Sequence, residues 1–122
     1  MTRGILTTLA IAALLVVAPG VGAHAFVDHA APAVGSTVRE APREIVIWFT
    51  QELEPSLSSI KLHDAKGNAI AAAADSAVDP SNRTMLRLPV PPLAPGKYRV
   101  VWRVLSIDSH VTEGDFTFDV AP

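Results

Sequence analysis

The chain has 122 residues, 18% of them charged, and a formal net charge of −2. That length allows one domain and excludes barrel and two-domain dinucleotide-binding architectures, and the charge balance gives no electrostatic footprint for nucleic acid. No cysteine is present, which excludes disulfide frameworks, thiolate metal sites and cysteine nucleophiles.

Residues 1–23 read as a cleaved secretory signal peptide. Arg3 supplies a positive start, and residues 5–17 are apolar apart from Thr7 and Thr8. Pro19 and Gly20 break the run, and Val21 and Ala23 occupy the −3 and −1 positions of a cleavage site. The apolar run is shorter than the roughly 20 residues a membrane span needs. Cleavage after Ala23 makes His24 the new N-terminus and 24–122 the mature domain. No second run of spanning length follows, so a product without a membrane span is expected outside the cytoplasm.

The mature segment reads as short strands. Residues 44–49 (Glu-Ile-Val-Ile-Trp-Phe) are β-branched and aromatic and follow Pro42. Residues 59–63 alternate polar and apolar, and the turn cluster from Asp64 to Asn68 pairs them in a hairpin with residues 69–72. Residues 84–88 alternate less cleanly. Pro89, Pro91, Pro92, Pro95 and Gly96 form a loop that no helix crosses. In residues 97–105, Tyr98, Val100, Trp102 and Val104 share one face. In residues 114–120, Phe116, Phe118 and Val120 face inward. Residues 55–58 and 71–74 allow helical turns at most. About seven short strands with regular turn signals predict an all-β fold, an antiparallel Greek-key β-sandwich or barrel.

Sandwiches serve many ends, so function rests on a site. Four histidines are present: His24, His29, His63 and His110. An N-terminal His24 offers its free α-amine and imidazole Nδ1, which close a chelate ring on a metal; the amine, with an ordinary pKa of about 8, gives up its proton at modest cost. Asp108 and His110 stand at i and i+2, a spacing that in extended backbone points both side chains one way. Together the three give three nitrogens and an oxygen, a set suited to Cu(II). Each also has a plainer reading: His24 as a frayed terminus, Asp108 as a turn cap with a solvated His110. His29 reads as a surface residue with scope for a second weak site, and His63 as a loop-edge side chain. Gln51, Glu52 and Glu54 read as a solvated loop, with a carboxylate there able to support a ligand imidazole.

In order and spacing these residues resemble the CopC family of periplasmic copper-resistance and copper-carrier proteins. The resemblance rests on His24-Ala25-Phe26-Val27, Pro32 to Gly35, Trp48-Phe49-Thr50, Pro95 to Val100, Trp102 to Val104, Ser106, Asp108, His110, Gly114, Phe116 and Phe118. It implies a cupredoxin-like or Ig-like β domain over 24–122. It further implies one type 2 Cu(II) site formed by the His24 amine and ring, Asp108 and His110, with no catalysis. The implied role is copper sequestration or transport in the periplasm, serving copper resistance and homeostasis. A monomer is expected, with a CopD-like inner-membrane copper transporter as partner. Two departures stand out. Residues 71–80 hold no methionine or histidine, where some members carry a separate Cu(I) site. Gln51, beside Glu52, stands where some members place a glutamate ligand. Two other classes fit parts of the pattern. An N-terminal histidine chelate plus a second histidine resembles the copper centre of lytic polysaccharide monooxygenases, and a metal-free structural sandwich fits if cleavage falls elsewhere than Ala23.

Overall fold

The computed structural model describes residues 25–122; the predicted signal peptide and His24 lie outside them. Nine strands and one 3₁₀ turn occur among the described residues. The strands are β1 (Val27–Ala31), β2 (Thr37–Val38), β3 (Glu44–Phe49), β4 (Ser59–Asp64), β5 (Ala69–Ile70), β6 (Ala77–Asp79), β7 (Asn82–Pro89), β8 (Gly96–Leu105) and β9 (Val111–Val120), with the 3₁₀ turn at Pro55–Leu57. They form a sandwich of two sheets, one ordered β1-β3-β7-β6 and the other β2-β9-β8-β4-β5.

Period-two alternation supplies the core. Ile45, Ile47 and Phe49 of β3 and Leu86 and Leu88 of β7 face Ile60 and Leu62 of β4, Val100, Trp102 and Val104 of β8, and Phe116, Phe118 and Val120 of β9. Each such side chain contributes about 1.5–3 kcal/mol on full burial. With no disulfide available, this packing carries the stability. Phe49 meets the Trp102 ring edge-on across the two sheets, with centroids 5.2 Å apart.

Two features depart from the all-antiparallel expectation. β2 runs parallel to the end of β9, with Thr37 opposite Asp119 and Val38 opposite Val120. The chain reaches it by crossing from one sheet to the other after β1, through a turn with Gly35 at φ +70°. The strand count also exceeds seven, because β2 and β5 are two-residue pairings at sheet edges and β6 has three residues.

Candidate metal centre

β8 and β9 are the longest strands, paired through ten rungs from Gly96 opposite Val120 to Leu105 opposite Val111. Residues 106–110 close that hairpin at one end of the sandwich. Ser106 is fully buried there. Its backbone N–H donates to the His110 carbonyl at 3.0 Å, and the Ser109 N–H donates to the Ser106 carbonyl at 2.9 Å. Its hydroxyl donates to Asp108 Oδ1 and accepts the His110 N–H at 3.4 Å. Ser109 turns the chain in the left-handed region, at φ 70°.

The sequence-predicted pair is thereby set side by side. Asp108 Oδ1 lies 3.2 Å from His110 Nδ1, with the two side chains 38% and 48% exposed. Extended alternation is not the cause. Asp108 and Ser109 lie in a turn, and the left-handed Ser109 swings the two side chains together. The Ser106 hydroxyl above all, opposed by desolvation and helped by the His110 ring, holds the Asp108 carboxyl below the usual carboxylate range. Asp108 is therefore an anion at neutral pH, beside an imidazole, facing water.

Two further segments brace this end. The loop after β3 buries Leu53 completely and bridges it to Ser106. The Ile107 N–H donates to the Glu52 carbonyl at 3.1 Å and the Glu54 N–H to the Leu105 carbonyl at 2.8 Å. Glu52 thus serves the hairpin through its backbone. The second segment is the start of the described chain. Ala25 is fully buried, and its carbonyl accepts a hydrogen bond from Thr112 Oγ1 at 2.7 Å. Phe26 exchanges bonds with Thr50, its N–H donating to Oγ1 at 3.0 Å and its carbonyl accepting from the Thr50 N–H at 2.8 Å.

Ala25 is the covalent neighbour of His24, and Thr112 stands two residues beyond His110. Through the Thr112–Ala25 bond the start of the described residues is tied to β9, the strand that follows the Asp108–His110 pair. Among the described residues, no group of three or more His, Asp or Glu side chains is gathered into a metal-binding cluster. The Asp108–His110 pair offers two donors, one oxygen and one nitrogen. His63 sits at the end of β4, opposite Arg99 and next to the turn that leads to β5, and His29 lies on β1 opposite Trp48.

Thr112 and the buried Ser106 are the residues whose positioning roles sequence reading missed. A serine two residues before an aspartate at a strand end is a signal for the second, because such hydroxyls bond locally in turns. The Thr112 contact is made across the whole length of the chain, and no local pattern announces it.

Residues 27–121 match the CopC domain family. The chain belongs to the CopC family. It is 32% identical over 123 residues to the Copper resistance protein C of Xanthomonas campestris pv. juglandis, covering 97% of this chain and 96% of that protein. Among solved structures it resembles CopC from Methylosinus trichosporium OB3b, with a TM-score of 0.76 and 33% identity over 81% of this chain and 95% of that one. It also resembles PcoC of Escherichia coli, described as a methionine-rich copper resistance protein, with a TM-score of 0.69 and 31% identity over 80% and 98% of the two chains. CopC membership makes this a copper-handling protein of a carrier and resistance family, not an enzyme. It is not methionine-rich: Met85 is the single methionine besides Met1.

Proposed function

We propose that this CopC chain is a periplasmic carrier or reservoir that holds one Cu(II) through the His24 amine and ring, Asp108 and His110. In this reading the signal peptide is removed after Ala23, and maturation itself makes the amine ligand. The observation that carries the proposal is the Thr112–Ala25 hydrogen bond, which ties the residue next to His24 to the strand that follows His110. The donor chemistry fits. Two imidazoles, an amine and a carboxylate suit Cu(II), which heads the affinity order of the divalent first-row metals. The half-exposed Asp108–His110 pair leaves a route for the ion to enter and leave. A CopD-like inner-membrane copper transporter is the expected recipient.

Intact mass of the secreted protein is expected to place His24 first. Titration of that protein with Cu(II) should then show one tight equivalent with a nitrogen-rich type 2 spectrum. His24→Ala and His110→Ala should each weaken it at least tenfold, a loss of about 1.4 kcal/mol or more. Unchanged affinity in His110→Ala, or a mature chain starting elsewhere, would overturn the assignment.

A further inference from the structure

We propose that Asp28 and His29 form a second, weaker Cu(II) site on the outer face of the four-stranded sheet. Consecutive residues of a regular strand point to opposite faces, and an adjacent Asp-His pair cannot then share a metal. Here the β1–β3 register slips: Val27 pairs with Phe49 and His29 with Trp48, leaving Asp28 as the extra residue of a bulge. The slip brings both side chains to the same side, with Asp28 Oδ2 only 2.6 Å from His29 Nδ1. Both are open to solvent, His29 at 58% exposure and Asp28 at 62%.

A shared metal needs a separation only slightly wider than this. Metal–imidazole and metal–carboxylate bonds run about 2.0–2.2 Å, so two such donors at a right angle stand about 2.8–3.0 Å apart. The Asp28–His29 pair, hydrogen-bonded at 2.6 Å, stands a few tenths of an ångström below that range, and Asp108–His110 at 3.2 Å stands as little above it, so each needs only a small side-chain shift and the loss of the shared proton to take an ion. The hairpin end and the bulged strand therefore present the same oxygen–nitrogen pair by different backbone devices.

Packing also holds the second imidazole. The His29 ring lies flat on the Trp48 indole, centroids 4.3 Å apart and planes 10° from parallel, which restricts its rotation before any metal arrives. Nitrogen and oxygen donors favour Cu(II) among divalent ions. With two protein ligands and water completing the shell, the site binds more weakly than a four-donor centre and exchanges faster. It is distinct from the proposed His24 site: His29 lies exposed on the outer face of the sheet against Trp48, whereas Ala25 is buried and bonded to Thr112. At high copper the chain would carry two ions instead of one.

Trp48 makes the test direct. In the processed protein, a second equivalent of Cu(II) is expected to broaden the Trp48 indole N–H and His29 ring resonances beyond detection. His29→Gln should abolish that effect while keeping the first equivalent, Asp28→Asn should weaken it several-fold, and His63→Gln should leave it unchanged. His110→Ala, which weakens the other site, should still show Trp48 broadening; its onset there at a lower copper equivalence than in the parent supports the site independently of the His24 centre. Sharp Trp48 signals at two equivalents would overturn the proposal. So would an equal loss in His63→Gln and His29→Gln, because any surface histidine would then suffice.

Discussion

Thr112 ties the first described residue to β9. Its hydroxyl reaches the carbonyl of a residue with no exposed surface, and an unpartnered carbonyl in that position costs about 1–3 kcal/mol. Thr112→Val keeps the shape and removes the donor. Urea unfolding should register a loss of that size, and Cu(II) affinity should fall with it, while Thr112→Ser preserves both. Unaltered affinity in a destabilised Thr112→Val would separate the anchor from the metal centre. Asp79, far along the chain, shows the electrostatic counterpart. The Ser81 hydroxyl and backbone N–H, and then Arg87, lower its pKa to about 2. Its folded value lies below the unfolded one, so the stabilisation is fully present above the ordinary carboxylate range and disappears as the pH falls toward 2. Asp79→Asn should therefore be less stable than the parent by a constant margin from pH 5 to 7, and the margin should close between pH 4 and 2. A margin that is as large at pH 2 as at pH 6 would contradict this.

At the scale of elements, the β8–β9 ladder depends on a single small residue. Gly114 lies directly opposite Trp102, and a Cβ added there would stand 2.6 Å from Trp102 Cζ2. Trp102 is buried, with its ring edge-on to Phe49, so it has little room to yield. Gly114→Ala should cost about 1–3 kcal/mol by overpacking, read as a lowered denaturation midpoint with shifted Trp102 fluorescence; an unchanged midpoint would mean the indole moves freely. The same ladder shows what was legible in advance. In β8 and in β9 from Gly114 on, apolar and polar residues alternate clearly enough that period two identifies the strands and their inward faces, while β3 is recognised as a β-branched and aromatic run after Pro42. β1 offers neither signal: Val27–Ala31 is small and polar, and its bulge at Asp28 breaks the alternation by which a strand is recognised. The β2–β9 pairing is parallel and joins distant segments, so no local signal carries it. Asp108 and His110 were visible as a spaced pair, yet their convergence comes from the buried Ser106 and the left-handed Ser109, which the extended-strand reading did not contain.

For the whole molecule, the proposed ligands come from distant parts of the sequence, His24 on one side and Asp108 and His110 on the other, and in the proposed reading only folding brings them together. The unfolded chain then has no assembled site, and any copper bound by the folded form adds to stability as RT ln(1 + [Cu]/Kd). At a free concentration one hundred times the Kd this is about 2.7 kcal/mol. For a domain of roughly 100 residues it raises Tm by something like 10–20 °C. Chelation with EDTA should remove the increment, and its size should shrink as the pH drops through about 6.5, where free imidazole takes up a proton and competes with the metal. The decisive comparison is between the processed protein and one carrying a single extra glycine before His24. The extension keeps both imidazoles and the Asp108 carboxylate but converts the His24 amine to an amide, so the copper-induced rise in Tm should fall by several degrees. Equal rises in the two proteins would mean that the terminal nitrogen does not hold the ion.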